Sequence, residues 1–152
     1  MFRGKARLRR KLIASVVLSI ATIAFTLDEL SESYNSASST LSLIKAQIKI
    51  LETGATRIQE WLWFTDPTSQ MVVMGSLRDA IATVNSSLER LQADITEITH
   101  TGPKTARLLG RTGSDQWVKT KFAYNEARMR KHLTDVRECA SLMYFTLNVC
   151  QL

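Results

Sequence analysis

Glycine and proline are scarce in this chain, at 6 and 2 of 152 residues. Tight-turned β architecture needs both at its corners and is therefore not expected. Cysteine is nearly absent too. Cys139 and Cys150 would stand about three turns apart on one helix, roughly 16 Å, too far for a mutual disulfide. Two reduced, buried thiols of a cytosolic protein are the expectation. Aromatic residues make up only 7% of the chain, and no repeat or low-complexity tract breaks it up.

The motifs of catalysis are missing as well. No spacing of Cys, His or carboxylates matches a metal site such as HExxH or CxxC. Nucleophile-elbow and Rossmann patterns do not occur. The stretch Leu109-Gly110-Arg111-Thr112-Gly113-Ser114 has the glycines of a phosphate loop but not its lysine followed by Ser or Thr, and no strand precedes it. His100 and His132 sit in polar contexts. Asp94 with Glu97, and Asp135 with Glu138, are i,i+3 pairs that a solvated helix face explains. Catalysis needs converging polar groups, so no catalytic residue, metal, cofactor or small-molecule substrate is expected.

What the chain does have is apolar periodicity. Hydrophobic residues are 45% and charged residues 22% of a length that suits one domain with a sizeable core. Four segments carry apolar residues at alternating steps of three and four. They run Ile13, Val16, Ile20, Ile23, Leu27, Leu30, Tyr34; Leu41, Ile44, Ile48, Leu51, Ala55, Ile58, Leu62; Met74, Leu77, Ile81, Val84, Leu88, Leu91, Ile95, Ile98; and Met129, Leu133, Val136, Ala140, Met143, Leu147, Cys150. That spacing lays one stripe along a helix. The small polar run at 35–40 can end one helix and cap the next, Asp66-Pro67-Thr68 offers a short turn, and Thr101-Gly102-Pro103 stops the third helix. Gly54 and Gly75 lie inside helical patterns, each costing about 1 kcal/mol relative to Ala. The fold expected is all-α, an antiparallel four-helix bundle over 12–152 with a loop at about 101–115 that has room for one helical turn at 104–109. The same stripes would also serve a coiled-coil oligomer.

Charge is distributed unevenly. The net value is +6, but residues 1–11 alone hold +6, residues 12–100 hold −5, and residues 101–131 hold +6. The leader Arg3, Lys5, Arg7, Arg9, Arg10 and Lys11 is expected to be flexible. The helix behind it has no charged residue between Leu12 and Leu27, and Val17, Leu18, Ala21, Ala24 and Phe25 widen its stripe beyond one face. A helix apolar all round is buried centrally or meets lipid. The candidate membrane- or partner-binding surface is thus the leader with Ile13, Val16, Val17 and Ile20. A second basic patch, Lys119, Lys121, Arg128, Arg130 and Lys131, surrounds Trp117, Phe122 and Tyr124. Trp61 and Trp63 flank the second stripe in RIQEWLWF and form a candidate aromatic anchor, since Trp favours half-wet sites.

Alternatives stay open at this point. A basic stretch followed by LIASVVLSIATIAF imitates a secretory signal, although Ser15, Ser19 and Thr22 interrupt it and no small-x-small cleavage site ends it. It is also shorter than the ~20 apolar residues of a spanning helix. Residues 1–25 as a targeting segment of a secreted or membrane-anchored protein is the second reading. A nucleic-acid binder using the two basic zones is the third, with no motif to support it.

The order of these segments resembles the fungal N-terminal domains of STAND-type (NLR-like) proteins, the HeLo-like group. IASVVLSIATIAFTLDELSESYNSASSTL is similar to that family's opening hydrophobic helix and small-residue turn. LIKAQIKILETGATRIQEWL is similar to its second helix, and KTKFAYNEARMRKHLTDVRECASLMYFTLNVCQL to its last. The resemblance implies a non-catalytic signalling bundle that acts by self-association or membrane contact, in some members causing cell death during non-self recognition. It also implies a cytoplasmic protein, peripheral at membranes, with protein partners or anionic lipids. Two features depart from the family pattern: the basic leader, and the lack of a Walker motif for the NTPase that such domains commonly precede. The chain is thus expected to be a stand-alone version or a fragment.

Overall fold

A computed structural model describes residues 2–33, 39–100 and 125–151. It contains four helices and, among the described residues, no strand: α1 (Phe2–Ser33), α2 (Ser39–Phe64), α3 (Pro67–His100) and α4 (Glu126–Cys150). The segment 101–124, where a loop and part of the second basic patch were expected, lies outside the described residues, as do 34–38.

The stripes make the core. Ile13, Val16, Ile20, Ile23 and Leu27 of α1 are buried with all seven stripe residues of α2. From α3 come Leu77, Ile81, Val84, Leu88, Leu91 and Ile95, and from α4 Met129, Val136, Ala140, Met143 and Leu147. Met74 and Leu133 pack at the edge. Truncating one of the large central residues to Ala costs about 2–5 kcal/mol, because the cavity left behind relaxes only in part.

Helix direction alternates along the chain, as expected, but the spatial order is α1–α2–α4–α3. The α1–α2 pair is antiparallel: Lys45 Nζ lies 2.6 Å from Asp28, and at the opposite end Arg10 lies over Trp63. Asp94 near the end of α3 meets His132 near the start of α4, so this pair is antiparallel too. By contrast, Thr40 and Glu126, both at helix starts, are hydrogen-bonded, and α2 and α4 run parallel. Their interface is the most extensive in the bundle. Gly54 lies in it: a Cβ there would reach ordinary contact distance, 3.5 Å from the Tyr144 ring and 3.7 Å from Met143 Cβ.

Two boundaries differ from the sequence expectation. The leader is helix from Phe2 onward, continuous with the apolar stretch. Arg, Lys and Leu all favour helix, and an apolar helix already anchored in a core supplies the nucleus. At the other end of α2, the turn is Thr65-Asp66 and the helix starts at Pro67, well before the first stripe residue. Asp66 caps it, accepting from Ser69 N–H at 2.9 Å and from Ser69 Oγ at 3.0 Å. Proline at the first helical position has no N–H to leave unsatisfied.

Candidate functional site

Three sets of residues were candidates, and the fold treats them differently. Of the apolar set, Ile13, Val16 and Ile20 are 0% exposed and belong to the core. Val17 is half-buried and packs against it. These four residues hold α1 in the bundle and are not its outer surface, which corrects their assignment as a contact face. The outer surface of α1 carries apolar residues as well: Leu18 is 69% and Phe25 64% exposed. They project opposite the buried stripe, interleaved with the exposed Ser15 and Thr22.

Within α1, the 20-residue span Arg10–Glu29 reaches a mean hydropathy of 1.8 in an 18-residue window, 33% of which is buried. It is long and apolar enough to cross a membrane by length and composition. A core helix or a signal sequence meets the same condition.

In the leader, Arg7, Arg10 and Lys11 are exposed on α1. The side chains of Arg3, Lys5 and Arg9 lie outside the described residues. Arg10 Cζ stands 4.3 Å from the ring centroid of Trp63, within the range of a cation–π contact. The basic leader and the aromatic anchor, separate candidates in the sequence, therefore meet. Trp61 is half-buried against the core, whereas Trp63 is mostly exposed.

The corner between α2 and α3 is built by a residue the stripes did not single out. Gln70 is buried, and its side-chain amide donates to the carbonyls of Leu62 at 2.9 Å and Thr65 at 2.8 Å. These are carbonyls that the end of α2 would otherwise leave without partners. Around this corner Phe64, Met71 and Val72 are exposed. A shallow depression of about 390 Å³ lies beside it, lined by Arg57, Glu60, Trp61, Phe64, Thr65 and Gln151. The C-terminus of α4 thus reaches the same end.

The second basic patch is partly neutralised. Arg128 lies 3.5 Å from Asp94 and 3.4 Å from Glu97, and Arg130 3.3 Å from Glu126. Lys131 is exposed, while Lys119 and Lys121 lie outside the described residues. Asp94 is no free surface carboxylate: it is half-buried and 2.5 Å from His132 Nε2. His132, expected in a polar context, is buried in the α3–α4 seam with Ser87, Cys139 and Thr146. Its Nδ1 has no hydrogen-bond partner among the described residues. The depression above it, about 280 Å³, is lined by Arg90, Asp94, Arg128, Lys131 and Asp135.

Among the described residues no group of three or more His, Cys, Asp or Glu could hold a metal. Both cysteines are free and buried, and burial pushes both thiols up, Cys150 to about 11. Comparison with family models, curated proteins and solved structures gives no match.

Proposed function

We propose that this protein is a non-catalytic signalling and interaction bundle that works at anionic membrane surfaces. One observation carries the reading. Exposed cations project from the first turns of a helix whose following stretch, Leu12–Leu27, has no charged residue, and only a third of the Arg10–Glu29 span is buried. Each Lys or Arg near an anionic leaflet contributes about 1 kcal/mol, so the leader supplies attraction and exposed apolar side chains of the bundle supply adhesion. The likeness of three segments to fungal HeLo-like domains supports the same reading and extends it to self-association and a part in cell death or non-self recognition. Leu18 and Phe25 are the residues α1 would offer to a second copy.

Co-sedimentation of the full chain with phosphatidylcholine vesicles, with and without phosphatidylserine, tests it. Binding is expected only to the anionic vesicles, weakening with salt and with neutralisation of Arg7, Arg9, Arg10 and Lys11. Co-sedimentation indifferent to those changes would reject it.

A second reading rests on the Arg10–Glu29 span itself, which matches a signal or anchor in length and composition. Mass spectrometry of the N-terminus from native cells separates cleavage from retention, and membrane fractionation separates an anchor from a peripheral contact.

A further inference from the structure

We propose that the closed bundle docks end-on to an anionic lipid bilayer, through the corner where α2 turns into α3. The inference rests on the membrane reading above but assigns the contact to different residues from those the sequence singles out. Among the large apolar residues described, Phe64 and Val72 are the most exposed, at 89% and 88%. They flank a two-residue turn, Thr65-Asp66, and Trp63 and Met71 beside them are also more than half exposed. Four exposed apolar side chains thus lie within two helical turns of one corner, a local concentration that a soluble surface rarely leaves open without a use.

The corner is rigid. Gln70 ties the last carbonyls of α2 to the first turn of α3, and Asp66 caps α3. The patch is therefore presented at a fixed geometry, with no ordering of a loop to oppose binding.

The occupant follows from charge. Arg10 sits over Trp63, which brings the leader to this same end, and Arg7 and Lys11 lie within a turn of it with Leu8 exposed between them. Residues 1–11 contain no acid. Among the described residues, the acids beside this corner are Asp66, whose carboxylate is occupied by Ser69, and Glu60 beside Arg57 in the neighbouring depression. A cationic rim on the α1 side of an apolar, Trp-bearing corner matches an anionic headgroup layer over acyl chains: the ring of Trp favours that boundary, and apolar residues enter it by about 5–10 Å. An acidic protein surface would satisfy the rim but would give Phe64 and Val72 no comparable apolar layer. In the end-on pose the flank of α1 carrying Leu18 and Phe25 stands clear of lipid.

The test uses the full chain and phosphatidylcholine vesicles with and without phosphatidylserine. Phe64→Ser with Val72→Ser changes only exposed side chains, and circular dichroism and thermal melting should match the wild type. Binding to the anionic vesicles should fall about tenfold or more, while Leu18→Ser with Phe25→Ser should change it less than about twofold. A Trp61→Phe, Trp117→Phe variant keeps Trp63 as the single reporter. Its emission should shift to the blue on binding and be quenched by brominated phosphatidylcholine.

Wild-type binding that Phe64→Ser/Val72→Ser leaves intact would overturn the end-on contact and leave the membrane reading standing. The end-on contact is equally overturned if Leu18→Ser/Phe25→Ser is the pair that abolishes binding, or if Trp63 emission does not move. A wild type that ignores anionic vesicles would remove both.

Discussion

The guanidinium of Arg10 lies over the ring of Trp63, at 4.3 Å from its centroid. This contact joins the cationic first turns of α1 to the last turn of α2. With the Asp28–Lys45 ion pair at the far end of the same two helices, it fixes the register of the antiparallel pair at both ends. It also explains how a leader rich in like charges is held helical: one of its cations has an aromatic face to rest on.

The strength of that contact can be measured directly. At an exposed site a cation–π pair contributes about 0.5–1 kcal/mol. Urea unfolding of Arg10→Ala, Trp63→Ala and the double variant should give a coupling energy of that order. Strict additivity of the two single losses would show that the pair contributes nothing to folding.

Stability should fall in acid for a stated reason. The Ser69 backbone and side chain hold the Asp66 carboxyl below the usual carboxylate range. Its pKa is lower folded than unfolded, so its contribution is present above the unfolded value and is lost as pH falls through the folded one. The hydrogen bond and charge of Lys45 lower Asp28 in the same sense. Asp66→Asn, which still caps a helix, should flatten the acid limb of a Tm-against-pH curve without removing it, because Asp28 remains. Asp66→Ala should lower Tm at neutral pH as well. An unchanged acid limb in Asp66→Asn would contradict the assignment.

Much of the fold was legible in the sequence. The second stripe, from Leu41 to Leu62, is buried without exception, because burial of one face is what a 3-4 repeat encodes. Spatial order was not legible: α3 lies diagonal to α2, and a stripe does not say which stripe it meets. The candidate site was only half legible. Charge located the leader, but hydrophobicity could not separate Ile13, Val16 and Ile20, which face inward, from Leu18 and Phe25, which face out. Phe64 and Val72 lie outside the seven-residue repeat, and that was the available sign that no core needed them. Gln70 gave no sign, because its role depends on a turn closing around it.

Replacing Gln70 should cost more than its polar surface chemistry suggests. Gln70→Leu keeps the bulk but leaves the Leu62 and Thr65 carbonyls without their donor, and an unmet buried acceptor costs about 1–3 kcal/mol. Urea unfolding should register a loss in that range. A loss near zero would mean that water replaces the amide at no cost.

The two helical glycines should respond alike to a methyl group and differently to a larger side chain. At Gly75 an added Cβ meets nothing within 4 Å, and at Gly54 it would reach ordinary contact distance from Tyr144. Gly54→Ala and Gly75→Ala should therefore each stabilise by about 0.5–1 kcal/mol through helix propensity. Gly54→Leu must displace the Tyr144 ring and should lower Tm, whereas Gly75→Leu should not. Equal effects of the two leucine variants would show that α2 and α4 are not held as closely as described.

Thiol chemistry reports on the closed state at the end proposed to dock. Burial raises Cys139 and holds Cys150 at about 11, against roughly 8.5 for a free cysteine. At pH 8 the thiolate fraction of Cys150 is then reduced by about a hundredfold or more, and burial restricts access further. Alkylation by iodoacetamide should be slow for both residues in the native protein and fast in urea. Cys150 closes α4 at the same end as Trp63 and Phe64, so its labelling rate in the presence of anionic vesicles separates two modes of contact. A closed bundle docked end-on leaves the rate low, while a bundle that opens on the membrane raises it towards the unfolded value.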